Sequence, residues 1–335
     1  MTDIALPQGW YLLADLIHAK NRFLISSHLR PDGDAVGSSL AMKRILQRMG
    51  KDAVWVMDGE AGWNFDRFYD KEELTLYDPE KSDFSDREVI VMVDAGEWPR
   101  LGRVGEAMKR HPGDKICIDH HIPHNSYEGL RIVDAASPST TVLIYRFIQF
   151  LDMEFDLSLA EPVYLGLIVD TQNFHLPNTT EEAHLIAAHC LRAGVQPHRV
   201  YEPIFGTTLF SRMRLMSEAF KTFEIACDGK VGVMYTTCDM FQQAEADPID
   251  DDGFIDFVRS VEGVRIGVYL REENEGVVKV SWRAKGDNNV VASAHKFGGG
   301  GHLRAAGATI LGSLAEVKQL VLQDLKDLAA MGKII

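Results

Sequence analysis

The N-terminal part of the chain alternates short apolar runs with stretches of helical periodicity. The apolar runs that predict buried strands are residues 23–25, 53–57, 89–93, 115–118 and 132–135. The stretches with helical spacing are residues 7–20, 35–49, 137–150, 159–172 and 181–193. Strands that alternate with helices form βαβ units, which build a parallel sheet with helices on both faces. We therefore predict an α/β domain over residues 1–195.

The pattern changes in the C-terminal part. Residues 196–220 contain two prolines and a helical stretch, and they are predicted to form a linker helix. Alternating runs then predict one hairpin over residues 223–236 and another over residues 264–283. The remaining predicted elements are helices at 240–246, 253–261, 289–296 and 314–328 and a strand at 308–311. This mixture predicts a smaller α+β domain over residues 221–335, which faces the first domain across a cleft.

Acidic and imidazole side chains follow the C-terminal ends of three predicted strands. They are His28, Asp32, Asp34, Asp94, Asp119, His120 and His121. In open α/β sheets this edge is where ligands bind. A helix cap and an ordinary turn would explain the first three residues taken alone, but not the convergence of all seven. Asp170, at the end of an apolar helix, is the best candidate for a further acid.

This set of side chains indicates a site for divalent metal ions. Two carboxylates as close in sequence as Asp32 and Asp34 repel each other unless a cation lies between them. A pair of metals about 3.5–4 Å apart is held by carboxylate and imidazole ligands on each side. Hard oxygen ligands combined with imidazole suit Mn²⁺, with Mg²⁺, Co²⁺ or Fe²⁺ as alternatives. The sequence therefore predicts two divalent metal ions.

The composition limits the classes of function. A content of 46% hydrophobic and 25% charged residues is typical of a globular protein. The net charge of -14 argues against a protein that coats duplex nucleic acid, but it permits a small anionic substrate held locally. No apolar run predicts a membrane span, and we find no secretory signal. The four cysteines are scattered without a CxxC pair, so reduced thiols and a cytoplasmic location are expected.

The ordered motifs resemble those of the DHH phosphoesterases. They are the HLRPDGDAVGS stretch that begins at His28, the Val93-Asp94 pair, the Asp119-His120-His121 triplet and Asp170. The run GGGGH from Gly298 and the RAAG that begins at Arg304 resemble the DHH-associated C-terminal domain. The resemblance spans nearly the whole chain. The two-domain layout is similar to that of the NrnA-type group, which comprises oligoribonucleases and 3′-phosphoadenosine-5′-phosphate phosphatases.

The resemblance implies roles for the residues of the first domain. One Mn²⁺ would be held by His28, Asp32 and Asp94. The other would be held by Asp34, Asp94, His120 and Asp170, so that Asp94 bridges the pair. A hydroxide between the two metals would attack the phosphorus atom in line with the leaving oxygen. His121 would stabilise charge on the phosphoryl oxygens, and Asp119 would orient a histidine. The plain alternatives are that His121 is a packing histidine and that Asp119 caps the end of its strand.

The glycine run of the second domain has chemistry of its own. Its backbone N–H groups could approach an anion closely, although such a run alone is more often a flexible loop. The resemblance implies that this domain grips the terminal phosphate and base of the substrate. The residues expected to do so are Arg283, Gly299, Gly300, Gly301, His302 and Arg304, with Arg100 of the first domain as a further candidate. The stretch Gly96-Glu97-Trp98 departs from the family pattern, which we expect to alter the cleft wall.

The leading hypothesis is a Mn²⁺-dependent phosphodiesterase and phosphatase. Its substrates would be short single-stranded oligoribonucleotides, linear dinucleotides and 3′-phosphoadenosine-5′-phosphate, with no long duplex and no membrane as partner. Alternatives with the same chemistry are a cyclic-dinucleotide phosphodiesterase, an inorganic pyrophosphatase and a single-strand exonuclease. A catalytically silent nucleotide-binding regulator is the alternative from another class. The oligomeric state is left open, with a homodimer as one option.

Overall fold

The structure, a computed structural model, describes residues 6–122 and 127–334. Residues 1–5, part of the stretch in which no secretory signal is predicted, lie outside the described residues. The chain divides into two compact units, Met1–Thr207 and Thr208–Ile335, called the first and the second unit below. The division falls inside the predicted linker, residues 196–220, and the predicted limits of the two domains stay predictions.

The first unit contains a six-stranded sheet covered by helices. Its strands are β1 (Arg22–Ser26), β2 (Asp52–Met57), β3 (Leu74–Leu76), β4 (Val89–Val93), β5 (Asp114–Asp119) and β6 (Leu130–Val133). Its helices are α1 (Leu6–Ala19), α2 (Gly33–Arg48), α3 (Arg103–Arg110), α4 (Thr140–Phe150), α5 (Leu157–Asp170), α6 (Glu181–Arg192) and α7 (Pro197–Tyr201). The strand order is β3-β2-β1-β4-β5-β6, and all neighbouring strands are parallel.

Alternate residues of the central strands face two separate cores. Val89, Val91 and Val93 of β4 pack in the larger core, together with residues of α1, α2, α4, α5 and α6. Ile90 and Met92 point to the opposite face and pack in a smaller core with residues of α3. Because both faces are covered, a central strand is apolar at every position. The predicted parallel sheet with helices on both faces is confirmed.

The strand order places a ligand-binding position between β1 and β4. The chain leaves β1 towards β2 on one side, and it later returns to the other side of β1 to form β4. The connections that follow these two neighbouring strands therefore run to opposite sides, which opens a crevice at their carboxyl ends. The residues from His28 to Asp34 follow β1, and Asp94 follows β4. Both therefore lie at this crevice, which is the topological switch point of the sheet.

The second unit is built on a mixed sheet. Its strands are β7 (Glu224–Ala226), β8 (Val231–Thr236), β9 (Ile266–Asn274), β10 (Val277–Ala284), β11 (Gly300–His302) and β12 (Ala305–Leu311). Its helices are α8 (Phe210–Lys221), α9 (Cys238–Ala244), α10 (Phe254–Ser260), α11 (Val291–Lys296) and α12 (Leu314–Ala330). The order is β11-β12-β10-β9-β8-β7, with only β8 and β9 parallel. The predicted α+β class of this part is confirmed.

Two elements and one helix start of the first unit differ from the sequence prediction. Neither β3 nor α3 is predicted, because β3 has three residues and α3 buries only Val104, Gly105 and Met108. Pro138 is expected near the first turn of its helix, but it precedes Ser139, whose hydroxyl caps α4 by accepting the N–H of Val142.

None of the helices in the described ranges is long and apolar enough to cross a membrane.

Candidate metal centre

The turn between β1 and α2 places three side chains at the switch point. Asp32 caps α2, because its Oδ1 accepts the N–H groups of Asp34 and Ala35, each at 3.0 Å. Asp34 occupies the first turn of the helix and is completely buried. His28 lies between β1 and this cap, with its Nε2 3.8 Å from Asp32 Oδ1. The turn therefore directs two carboxylates and one imidazole towards a single edge of the sheet.

Asp94 lies at the centre of the cluster that the six predicted metal ligands form, namely His28, Asp32, Asp34, Asp94, His120 and Asp170. It follows β4 directly, is only 1% exposed, and has a left-handed backbone with φ of 55°. Residues other than glycine rarely adopt this conformation, and it is concentrated at functional sites. The two carboxylate oxygens face different histidines, since Oδ2 lies 3.6 Å from His28 Nε2 and Oδ1 lies 3.6 Å from His120 Nε2.

The remaining predicted ligands converge on the second side of Asp94. Nε2 of His120 lies 3.1 Å from Asp170 Oδ2 and 4.0 Å from Asp34 Oδ2. The structure thus brings together all six residues that the sequence predicts as metal ligands. They form two sets, and within each set the ligand atoms lie within 4.8 Å of one another. The first set is His28, Asp32 and Asp94, and the second is Asp34, His120 and Asp170.

Backbone carbonyls fix how the two histidines are turned. Nδ1 of His28 lies 3.1 Å from the carbonyl oxygen of Leu29, and Nδ1 of His120 lies 3.3 Å from that of Ser137. A carbonyl can only accept, so each Nδ1 carries a proton and donates it. The Nε2 atoms therefore face the carboxylates and are the nitrogen atoms that could bind a metal ion together with them.

The carboxylates raise the pKa of both histidines. Burial lowers the pKa of His28, but hydrogen bonds to Asp32 and Asp94 and their negative charges outweigh burial and raise it to about 10. Burial likewise lowers the pKa of His120, but the hydrogen bond to Asp170 and the nearby carboxylates raise it to about 10. Both imidazoles thus hold protons at neutral pH when no other cation balances the carboxylates.

Burial also raises the pKa of three carboxyl groups in the cluster. Burial and the charge of Asp34 raise the pKa of Asp170 to about 7 and hold that of Asp94 well above its ordinary value. Burial also raises the pKa of Asp34. Ionising all of these groups together needs positive charge among them. Carboxylate oxygens and imidazole nitrogens on two sides of one shared carboxylate are a donor set that fits two divalent cations.

Asp119 and His121 form a pair at the end of β5. Oδ1 of Asp119 accepts the N–H of His121 at 3.1 Å and lies 2.8 Å from its Nδ1. Asp119 is buried, whereas the side chain of His121 is 44% exposed. Nδ1 of His121 also lies 3.6 Å from Asp94 Oδ1. The pair therefore holds an accessible imidazole beside the cluster.

The residues that depart from the family pattern have local structural roles. Gly96 has a φ of 67°, and a Cβ atom there would lie 2.7 Å from Asp119 Oδ2. Trp98 is buried and stacks on Tyr127 with ring centroids 5.3 Å apart. Arg100 lies outside this stretch and is a predicted substrate contact; it is exposed, and its Nη1 donates to the carbonyl of Ala95 at 3.1 Å, one residue beyond Asp94. The expected effect of Gly96-Glu97-Trp98 on the cleft wall stays a prediction.

The predicted substrate residues of the second unit lie on one sheet or in the turns that border it. Arg283 lies on β10 and lines a cavity of about 100 Å³ whose other walls include Asp251, Arg271 and Ser281. Strand β12 separates it from β11, and Ala305 pairs with both Arg283 and His302. Arg304 lies in the turn between β11 and β12, is 66% exposed, and is 3.6 Å from Asp287.

Gly300 and Gly301 of the glycine run belong to an edge strand, which the sequence does not predict. Gly300 and Gly301 pair with Gly307 and Ala306 of β12. Gly301 has a φ of 140°, which other residues rarely adopt, and Gly299 leaves no space for a Cβ atom against β12. Close packing at Gly299 and backbone conformation at Gly298 and Gly301 therefore account for three of the four glycines before any ligand is considered. Strand β11 lies at the edge of the sheet, so within the part of the chain that the structure describes no further strand pairs with its outer side.

The groups that support the cluster are not predicted from the sequence. Thr140 donates its hydroxyl to Asp94 Oδ1 at 3.0 Å, and the N–H groups of Thr140 and Thr141 donate to Asp34. Asn178 donates to the carbonyl of Asp170 at 3.0 Å. The Ser-Pro-Ser-Thr-Thr stretch indicates a helix start, but nothing in its local pattern shows which carboxylates that start will contact.

Comparisons with known proteins agree with the motifs. A family model described as the DHH family, N-terminal domain, matches residues 22–167, and the DHHA1 domain matches residues 230–331. The bifunctional oligoribonuclease and PAP phosphatase NrnA of Thermus thermophilus is 34% identical over 326 residues, 96% of this chain and 95% of that protein. NrnA of Bacillus subtilis is 25% identical over 294 residues, 86% of this chain and 88% of its own length.

A solved structure extends the likeness to the fold. An exopolyphosphatase-related protein from Bacteroides fragilis superimposes with a TM-score of 0.85 at 26% identity. The match covers 98% of this chain and 100% of that chain. The similarity therefore includes both units and is not confined to the motifs.

Proposed function

Since the chain belongs to the DHH family of phosphoesterases, we propose that it hydrolyses short oligoribonucleotides and 3′-phosphoadenosine-5′-phosphate with two Mn²⁺ ions. The family makes the chain a hydrolase of phosphate esters. The substrates follow from the names of the relatives from Thermus thermophilus and Bacillus subtilis, which are similar over most of the chain. A net charge of -14 also favours a short anionic substrate over a long duplex.

The observation that carries the proposal is the position of Asp94 between the two ligand sets. Its Oδ2 faces His28 and its Oδ1 faces His120, which supports a bridging role. We propose that one ion is held by the set with His28, and the other by the set with His120 together with Asp94. When bound, the ions would neutralise phosphoryl charge and increase the acidity of a water molecule.

The chain's own residues would place the substrate and hold protons. Because Nδ1 of His121 is engaged by Asp119, its Nε2 remains available to a phosphoryl oxygen. We propose that Arg283, His302 and Arg304, with the outer side of the glycine strand, bind the terminal phosphate and base. Arginine suits this task because its guanidinium group offers two parallel donors to a phosphate. Arg100 is proposed as a further phosphate contact.

The remaining predictions concern the setting of the enzyme. We propose that it acts in the cytoplasm, which the four free cysteines of the structure support. Mn²⁺ is proposed over Mg²⁺ because imidazole nitrogens take part in both ligand sets. The homodimer stays a prediction, and sedimentation of the purified protein would decide it.

The test is hydrolysis by purified protein with Mn²⁺, compared across five substrates. They are a five-nucleotide RNA, linear di-adenylate, 3′-phosphoadenosine-5′-phosphate, a cyclic dinucleotide and pyrophosphate. We expect turnover of the first three that disappears in Asp94→Ala. Preference for the cyclic dinucleotide, or for pyrophosphate alone, would contradict the proposed substrates. Bound Mn²⁺ without turnover of any substrate would favour the nucleotide-binding regulator.

A further inference from the structure

The first turn of α4 contacts the carboxylates of both proposed ligand sets. Thr140 donates its hydroxyl to Asp94 Oδ1 at 3.0 Å and its backbone N–H to Asp34 Oδ2 at 2.6 Å. From this geometry we infer that Thr140 is a positioning residue, whose hydroxyl keeps the two oxygens of Asp94 turned to different metal ions. The inference rests on the proposed two-metal function and concerns how the pair is assembled.

The orientation of Asp94 is what the hydroxyl controls. The oxygen that accepts from Thr140 is Oδ1, which lies 3.6 Å from His120 Nε2, while Oδ2 lies 3.6 Å from His28 Nε2. Rotation about the bond that carries a carboxylate is soft, with broad energy wells. Without a donor at Oδ1, the group could turn and offer both oxygens to one ion. The pair would then lose its shared ligand.

Burial makes this hydrogen bond effective. The side chains of Thr140 and Asp94 are almost completely shielded from water. A bond from a hydroxyl to an ionised carboxylate is stronger than one between neutral groups, and a buried setting strengthens it further. No water molecule can readily take the place of the hydroxyl. The hydroxyl of Thr140 is therefore a strong determinant of the orientation of Asp94, beside the histidines that face its two oxygens.

Asp34 is held in a different way, which separates the two contacts experimentally. Its oxygens accept the backbone N–H groups of Thr140 and Thr141, at 2.6 Å and 2.9 Å. A substitution of either threonine by valine leaves these N–H groups in place. The hydroxyl of Thr141 bonds to Ser139 Oγ at 2.8 Å. Thr141→Val therefore makes the same chemical change one residue away and serves as the matched control.

The experiment measures binding of Mn²⁺ alone to the full chain, by calorimetry and by the magnetic resonance signature of a spin-coupled Mn²⁺ pair. We expect Thr140→Val to bind the second ion about 10–100-fold more weakly, as for other residues that orient metal ligands. The paired signature should be lost at Mn²⁺ concentrations that saturate the wild type. Thr140→Ser restores the hydroxyl and should restore the pair, and Thr141→Val should resemble the wild type.

The outcomes separate this inference from the proposed function. If Thr140→Val keeps the paired signature at wild-type Mn²⁺ concentrations, the inference is wrong. It is equally wrong if Thr141→Val loses the pair to the same extent, because general packing of α4 would then be responsible. A wild type that binds no pair also overturns it. Binding is measured without substrate, so failure to hydrolyse the nucleotides would refute the proposed substrates and leave this inference standing.

Discussion

The two units hold their candidate functional residues in opposite ways. In the first unit Asp34, Asp94 and Asp119 are buried, Asp170 is half-buried and Asp32 is exposed, and hydrogen bonds from α2, α4 or a neighbouring histidine fix their oxygens. In the second unit His302 and Arg304 are exposed, and the ion pair of Arg304 with Asp287 is an exposed one. Exposed ion pairs of this kind contribute little to stability.

The difference indicates a division of work. Groups that must meet a developing charge are effective only when they are held in place before the reaction. Groups that must accept different bases or chain lengths can remain adaptable, because they contribute binding energy in the ground state and the transition state alike. We therefore expect substitutions in the first unit to lower kcat and substitutions in the second unit to raise KM.

Asp34→Asn should give the largest effect. Both oxygens of Asp34 accept backbone N–H groups, so the new amide nitrogen would place a donor against a donor. We expect the loss of this ligand to lower kcat about a thousandfold, equivalent to several kcal/mol of transition-state stabilisation. The measurement is steady-state turnover of di-adenylate with Mn²⁺, together with Mn²⁺ stoichiometry.

The control for this change is Asp114→Asn, at the opposite end of β5. Asp114 is half exposed and pairs with Lys20 at 3.0 Å. This change should alter the free energy of unfolding by no more than about 0.5 kcal/mol and leave kcat intact. A small effect of Asp34→Asn on kcat would contradict the view that the first unit is preorganised.

Arg283→Ala should give the next largest effect, and on a different parameter. Removing a charge-assisted contact to phosphate costs about 1.5–3 kcal/mol, so we expect KM to rise roughly 10–100-fold. The value of kcat should change little, since the contact is proposed to exist before and during the reaction. Arg214→Ala is the matched control, because Arg214 lies on α8 in a loose pair with Glu245 at 3.7 Å. An equal fall in kcat would break the proposed division.

The sequence predicts the sheet of the first unit and the six residues that the structure brings together, because their signals are local. Val89–Val93 is apolar at every position and ends directly at Asp94, and the short-range spacing from His28 to Asp34 fixes a cap. The contact of Thr140 with Asp34 joins residues 106 positions apart. Such a contact depends on how α2 and α4 pack, which no local pattern encodes.

The second unit was harder to predict for the same reason. A run of glycines has no side chains whose periodicity could show a strand, so β11 becomes visible only through its pairing with β12. The hairpin of β9 and β10 was predicted correctly, because alternation of buried and exposed positions on β10 reflects two differently covered faces. Elements are therefore predictable from the local sequence where side chains show their periodicity. They are not predictable where only the backbone forms the contacts.

The pH dependence of the metal-free protein should sharpen the comparison. His28 and His120 have pKa values raised to about 10, above their ordinary value of 6.5. The stabilisation that their protonated forms give is fully present below pH 6.5 and is lost as the pH rises towards 10. Melting temperatures measured with a chelator should fall across this range. Mn²⁺ should oppose the fall, because it replaces the protons, and an unchanged melting temperature would contradict the charge balance described for the cluster.

The smallest effects are expected from a pair of glycine substitutions that separate packing from ligand binding. A Cβ atom at Gly299 would overlap the carbonyl oxygen of Gly307 and lie 2.6 Å from Ala308 Cβ, whereas one at Gly300 would meet only His295 Nε2, at 4.0 Å. Gly299→Ala should therefore lower the free energy of unfolding by about 1–3 kcal/mol. Gly300→Ala should keep stability within about 0.5 kcal/mol and raise KM, provided that the edge backbone approaches the substrate. Thermal unfolding and KM for di-adenylate measure both. An unchanged KM in a stable Gly300→Ala would mean that the glycine run serves only the packing of β11 on β12, and the exposed side chains alone would then bind the substrate in the second unit.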